Sequence, residues 1–413
     1  MRAGPASRGE GTGGGYRRVA APRAGRGGDA AWQTDGMSEI GHTALGAWSG
    51  GRFMHYGEAV DEERLVALLR PDVAIHTVVT ADVYGEGAAD RLIGRALEGL
   101  PRDSYALVAA VGHDFTLGAR EGAKGFPRFT DPRLRGPDRY AEYLRRATEE
   151  SLARLGVDRL DLLLLHNPDR TGYGSERVWQ ALVDLRDEGL ADMLGVAPGP
   201  ANGFTLDVLS CLERFGEVVD WAMLILNPFE PWPGRLVLPA CVEHGVKVLA
   251  RVVDYGGVFH GDVPDEDLLA PRDHRAFRPA GWVEAARARL ADVLPIAEAH
   301  GLTPLQLACQ WTLAQPAVRS VVPTLIQEPG PDAKPIEEKR AELAAVPAEG
   351  VLTTDEIARI DEIGDNAGCM TLKGGTPAHQ GLERADSWPV SDDLRRVAQR
   401  WGIDPERDLV PTM

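Results

Sequence analysis

From Thr43 onward, short apolar runs alternate with amphipathic stretches, and no other feature limits the possible folds of this chain as much. The runs fall near residues 44–48, 73–79, 105–111, 160–166, 193–197, 218–226, 245–253 and 318–322. Each is too short to be an ordinary helix and is bounded by Gly, Pro or polar residues, which fits strands buried on both faces of a parallel sheet. Stretches of helical period lie between them, near 61–70, 88–99, 138–155, 175–189, 205–215 and 234–244, with a longer one at 282–315. Eight strands alternating with helices over about 300 residues is the count of a closed (β/α)8 TIM barrel, an α/β fold. A doubly wound sheet would need a Gly-rich turn after its first strand, and Gly46-Ala47-Trp48 does not supply one.

The 138–155 stretch shows how a helix is read. Asp138 follows Pro137 as an expected N-cap, Leu144, Ala147, Leu152 and Leu155 share one face, and Gly156 is the expected stop. The alternation breaks at 113–137, 254–281 and 364–413, which are rich in Gly, Pro, Arg and Asp. In a barrel the first two segments would follow strands three and seven, on the catalytic face, where long loops usually serve function. The third, with a short helical pattern near 391–401, is expected to be a C-terminal extension packing on the barrel.

Residues 1–36 have a different composition: six arginines, Glu10, Asp29 and Asp35 in a Gly/Ala-rich background. Such a segment cannot bury enough apolar surface to fold, and it contains no apolar core of a secretion signal. It is expected to be a disordered tail, or the product of a start codon upstream of a natural start at Met37. Residues 37–363 are then the barrel and 364–413 the extension.

The net charge of −17 argues against nucleic acid or an anionic membrane surface as partner. No apolar run approaches membrane-spanning length. Cys211, Cys241, Cys309 and Cys369 stand far apart without metal-ligand spacing, which suggests reduced thiols and a cytoplasmic protein acting on a small-molecule substrate.

One polar residue stands out against this frame. Leu162 to Leu165 form a fully apolar run that ends in His166, and Asn167-Pro168-Asp169 break the strand at once. The carboxyl end of a buried parallel strand is where barrel enzymes keep their chemistry. The plain alternative is a histidine bonded to backbone.

Several motifs in order resemble the aldo-keto reductases. Thr80-Ala81-Asp82-Val83-Tyr84-Gly85 is similar to that family's signature after strand two. Glu150 to Gly156 followed by Asp158 to His166 is similar to its helix-three and strand-four signature. Asp187-Glu188-Gly189 before Gly195-Val196, Gly256-Gly257 after the seventh run, and Leu307 to Gln315 before Val321-Val322-Pro323 continue the likeness, from about residue 40 to 363.

The resemblance implies a TIM barrel that reduces carbonyls with NADPH through an Asp, a Tyr acid, a Lys and a His. A phenol with a pKa near 10 donates poorly at neutral pH, and an ammonium paired with a carboxylate lowers that pKa. Tyr84 and His166 match two of the four. The aspartate position falls on Val79 and the lysine position on Ala110. Both halves of the ion pair are missing together, which is coherent because either alone would be a costly buried charge.

Among cofactor positions, the Ser-Asn after strand five falls on Ala197-Pro198, the strand-six Gln near Met223, and the phosphate-recognising Arg near Ile326. Asn227, Arg251 and Glu338 remain as expected cofactor contacts, and Trp48, His113, Asp254 and Tyr255 as expected substrate contacts. His113-Asp114, Asp254-Tyr255 and Lys373 are the residues that could compensate for the lost pair. Three functions are compatible with this pattern. They are a carbonyl/alcohol oxidoreductase, a lyase, dehydratase or isomerase using Tyr84 and His166 as an acid/base pair, and a catalytically silent barrel used for binding.

Limited proteolysis is expected to clip residues 1–36 and leave a stable core. Cooperative loss of the whole fold on deleting them would contradict the composition argument.

Overall fold

The computed structural model describes residues 39–120, 125–199, 204–270, 272–278, 280–366 and 390–409. The chain divides into Met1–Met37 and Ser38–Met413. The expected tail, residues 121–124, Cys369 and Lys373 lie outside the described residues.

The alternation resolves into eight strands: β1 (Ala44–Gly46), β2 (Thr77–Ala81), β3 (Ala106–Val111), β4 (Leu160–His166), β5 (Ala191–Ala197), β6 (Trp221–Ile225), β7 (Lys247–Arg251) and β8 (Val318–Val322). They pair in sequence order, each parallel to the next. A parallel bridge between Thr43 and Val321 brings the first strand back to the last, so the sheet closes into the expected (β/α)8 TIM barrel. The helices are α1 (Glu62–Leu69), α2 (Ala88–Leu97), α3 (Tyr140–Leu155), α4 (Arg170–Gly174), α5 (Glu176–Asp187), α6 (Thr205–Phe215) and α7 (Leu238–His244). They continue with α8 (Trp282–Ala299), α9 (Pro304–Leu313), α10 (Ile336–Ala344), α11 (Thr354–Ile363), α12 (Asp392–Arg400) and α13 (Pro405–Asp408).

Two apolar layers follow from the two-residue period of strands. Leu107, Ala109, Leu163 and Leu165 join a large cluster with residues from the helices. Their alternates Val79, Ala81, Val108, Ala110, Leu162, Leu164, Met223, Leu249 and Val322 form a separate cluster, which is the barrel interior. In register with that interior row, His166 and Arg251 end their strands at its carboxyl end.

Local chemistry moved several boundaries. The second strand starts at Thr77 rather than near Val73, because Asp72 Oδ1 accepts from the amides of Ala74 and Ile75 and turns the chain there. Asp138 does not cap α3. It lies in the 3-10 turn Pro137–Arg139, and the helix begins after it without a side-chain cap. Gly156 ends α3 as expected, at φ 72°. The long 282–315 pattern is two helices, broken where Gly301 turns left-handed and where Thr303 and Gln306 form a reciprocal capping box before Pro304. In the same way, the capping box of Thr353 and Glu356 opens α11.

Within the C-terminal segment, Leu394, Val397, Ala398 and Ile403 are buried. Trp401 Nε1 donates to Glu213 of α6 at 2.9 Å, and Trp232 Nε1 donates to the Asp408 carbonyl at 2.7 Å. Among the described residues no helix is long and apolar enough to cross a membrane.

The loop after β7 is fastened by buried charge. Arg275 forms a bidentate pair with Asp273, Nε to Oδ1 at 2.9 Å and Nη2 to Oδ2 at 2.8 Å, and a second with Glu328 beyond β8. All three side chains are 1% exposed. Asp273 also accepts from the Gly57 amide in the loop after β1, so the loops after β1, β7 and β8 share one ion network. Removing the cation would leave two buried carboxylates unpaired. Arg275→Met is therefore expected to destabilise the protein by about 3–5 kcal/mol in denaturant unfolding; a loss under about 1 kcal/mol would show that this network does not hold the loops.

Candidate active site

Four strands deliver a cluster of aromatic and basic side chains to the carboxyl end of the barrel. Tyr84 follows β2, His113 follows β3, His166 ends β4 and Arg251 ends β7. The rings of Tyr84 and His166 meet edge to face, 5.8 Å between centroids, and those of His113 and His166 at 5.1 Å. Trp48, after β1, stands edge to face against Tyr84 at 6.3 Å. Tyr84, His166, His113, Trp48 and Arg251 are thus brought together, over an interior of Val79 and Ala110 that holds no charge at those two positions.

Backbone geometry permits the close approach of β3 and β4. A Cβ on Gly112 would stand 2.5 Å from the His166 carbonyl oxygen, so only glycine fits there. Beyond it, His113 and Arg128 pair across a short antiparallel bridge. His113 Nδ1 lies 2.9 Å from the Phe126 carbonyl, and its Nε2 lies 3.3 Å from Asn167 Nδ2. That pattern assigns the proton to Nδ1, with Nε2 accepting from Asn167. Arg128 Nε donates to the Asn167 carbonyl at 2.6 Å.

Both histidines are held neutral. Burial, with Arg128 nearby, lowers His113 from 6.5 to about 3. For His166, burial comes first and then the fields of His113, Arg251 and Arg128, all pushing its pKa well below the ordinary value. Its Nδ1 is buried without a partner. Tyr84 is raised by burial, against which the Arg251 charge acts to lower it. Arg251 Nη2 donates to the Pro198 carbonyl at 2.9 Å, while Nε is buried with no hydrogen-bond partner.

The other expected site residues have different surroundings. Asp254 is sealed, its carboxylate accepting from the amides of Gly257 and Thr324, which ties the ends of β7 and β8 together. Tyr255 is buried among Phe229 and Trp282, under the Arg278 guanidinium. Asn227 is fully buried, and its amide holds the following turn and the Val252 carbonyl. Glu338 lies on the exposed side of α10. None of these four is offered to the cluster. Asp114 is likewise internal, paired with Arg135 and capping Thr116 and Leu117.

Asn167, Arg128 and Tyr56 were missed in the sequence. Asn167 has φ 44°, a conformation asparagine tolerates better than most residues, and Asn-Pro after a strand was its only signal. Tyr56, in the loop after β1, is raised to about 12 by burial and by Asp254. No local pattern announces Tyr56 or Arg128.

The Aldo/keto reductase family model matches residues 44–365. A probable voltage-gated potassium channel subunit beta from Arabidopsis thaliana is 23% identical over 336 residues, covering 78% of this chain and 93% of that protein. A 6-dehydroglucose reductase from Novosphingobium aromaticivorans is 26% identical over 298 residues, covering 70% and 84%. An aldo/keto reductase from Klebsiella pneumoniae, crystallised with NADP and acetate, superposes with a TM-score of 0.52 at 23% identity, covering 83% of this chain and 94% of that one.

The electrostatics carry a pH consequence. His113 binds its proton less readily folded than unfolded, so its stabilising effect is complete above about pH 6.5 and drains as the pH falls toward 3. His113→Gln is expected to flatten the acid loss of stability between pH 6.5 and 5 by up to about 1.4 kcal/mol per pH unit. Identical pH dependence in parent and variant, by denaturant unfolding at both pH values, would contradict a neutral buried His113.

Proposed function

Because this chain belongs to the aldo/keto reductase family, we propose that it is an oxidoreductase acting on a carbonyl or alcohol substrate, with an atypical site. The observation that carries this reading is the contact of Tyr84 and His166 at the carboxyl ends of β2 and β4. Tyr84 Oη is the proton donor to the carbonyl oxygen in reduction, and the acceptor in the reverse direction. His166, kept neutral by burial and neighbouring charge, orients that oxygen by a hydrogen bond rather than by charge. Val79 and Ala110 stand where the family's acid and lysine would be, so Tyr84 works without an ion pair beneath it. Trp48 stands against Tyr84 and His113 against His166, edge to face.

A nicotinamide dinucleotide would supply the hydride. One orphaned buried nitrogen, His166 Nδ1, suits its polar reactive end at the strand-end cluster. The opposite end, beyond β8, is a poor match for the 2′-phosphate of NADPH. Lys339 is paired with Asp262 at 2.7 Å and donates to the Ile326 carbonyl at 2.6 Å, and Arg340 is paired with Asp72 at 2.9 Å. Arg275 is doubly paired, and the buried acid Glu328 stands beside Gly257. A phosphate there would have to compete with carboxylates already in place.

NADPH and NADH are therefore expected to bind weakly and about equally in a fluorescence titration. A dissociation constant for NADPH of about 1 μM or below, roughly −8 kcal/mol, with clear preference over NADH would refute the phosphate argument. Tyr84→Phe and His166→Ala should each lower kcat for aldehyde reduction by about 10²–10⁴-fold. Unchanged turnover in both would remove the assignment of the site. A catalytically silent barrel is the second reading, favoured by the absence of charge at Val79 and Ala110; turnover lost in neither variant because none exists in the parent would establish it.

A further inference from the structure

Arg251 is the anomaly of the cluster. Its position at the inward end of β7 puts a guanidinium among aromatic rings, with Nη2 on the Pro198 carbonyl and Nε buried and unpartnered. Elsewhere in the barrel the sequestered cations are neutralised: Arg275 by Asp273 and Glu328, Arg278 by Glu230, Lys339 by Asp262, Arg135 by Asp114. Among the described residues Arg251 forms no ion pair. The groups whose fields act on it are the phenols of Tyr84, Tyr56 and Tyr173. A guanidinium stays charged under any accessible condition. Arg251 is half-buried, but its Nε is shut away from water with no partner, which is costly, and such a group persists where a ligand completes it.

The charges around His166 have the same sign. Arg251 and Arg128 both act on it, and no carboxylate is among the groups that do. These two cations belong to a chain of net charge −17, so they are not a by-product of composition; the one carboxyl acting on the cluster's Tyr84 is the buried Asp82. The planar guanidinium fork matches a two-oxygen anion, and its Nε is without a partner.

We propose that Arg251 is the receptor for a carboxylate on the substrate, so that the compound reduced or oxidised between Tyr84 and His166 is a carboxylate-bearing aldehyde, ketone or alcohol. This rests on the reading of the cluster as a carbonyl site. Arg251 then fixes one end of the substrate while Tyr84 and His166 address the carbonyl, and the negative charge of the substrate balances the unpaired cation. The rival role, in which Arg251 only eases proton release from Tyr84, would act on every carbonyl substrate alike.

The test uses the full chain and two variants, Arg251→Gln and Arg251→Lys, with thermal unfolding to verify that each is folded. Succinate binding is measured by calorimetry, and reduction of succinic semialdehyde is compared with reduction of butanal. The parent is expected to bind succinate and Arg251→Gln to bind it at least tenfold more weakly, with Arg251→Lys between them. The ratio of kcat/KM for the semialdehyde over butanal should fall at least tenfold in Arg251→Gln. Arg251-dependent succinate binding without turnover of either aldehyde would keep the carboxylate receptor and dismiss the redox reading. An unchanged kcat/KM ratio, or succinate binding that is absent or indifferent to Arg251, would overturn the proposal.

Discussion

A closed ring of eight parallel strands leaves no strand edge free and gives every strand two buried faces. Polar side chains are then least costly at strand ends, because a polar group in the packed interior must find a partner there. The chain obeys this closely: the interior row of Val79, Val108, Ala110, Leu162, Leu164 and Leu249 is apolar. His166 and Arg251 bring hydrogen-bonding capacity and charge to the last positions of β4 and β7. Backbone closure thus decides where chemistry can be placed. The glycine at 112 shows how tightly, since the neighbouring strand end leaves no room for a methyl group beside His166.

Charge is handled in two ways on the same face of the barrel. In the loops after β1, β7 and β8 it is matched internally, with Arg275 clamped between two acids and Asp254 consumed by backbone amides. Such pairs fasten loops, and once fastened they have little left for a ligand. In the cluster around His166, Arg251 faces neutral rings. The contrast separates scaffold from site better than residue type does, since arginines and acids occur in both.

The barrel was legible because its signal is periodic and repeated: each buried strand is a short apolar run, and each helix carries one apolar face. Errors came where a side chain overrode the period, as with the Asp72 turn that delays β2 and the capping box that splits α8 from α9. The site was legible in part. His166 could be seen as a polar residue ending an apolar run, and Tyr84 through its surrounding motif. Asp254 and Asn227 sit in the right loops, but their polar atoms serve the backbone, which no linear pattern reveals. Arg128, Asn167 and the Arg275–Glu328 pair depend on contacts between residues 39 and 53 positions apart, beyond the reach of local pattern.

The apolar residues at 79 and 110 and the unpaired guanidinium at 251 make sense together. A lysine at 110 would add a third cation to the end of the barrel where Arg251 and Arg128 already act on His166, and like charges sharing a low-dielectric site repel. An acid at 79 would do the opposite, drawing Arg251 into a closed pair and cancelling its charge. With both positions apolar, neither repulsion nor internal neutralisation occurs. Arg251 is left to meet a charge from outside, and the neutral histidines beside it offer hydrogen bonds without competing for that charge. The same arrangement deprives Tyr84 of a close ammonium, leaving burial and the Asp82 carboxyl to raise its pKa with only the field of Arg251 opposing. On this account the site gives up part of the acidity of its proton donor and gains selectivity for anionic substrates, because one cation cannot be neutralised from within and still attract a ligand.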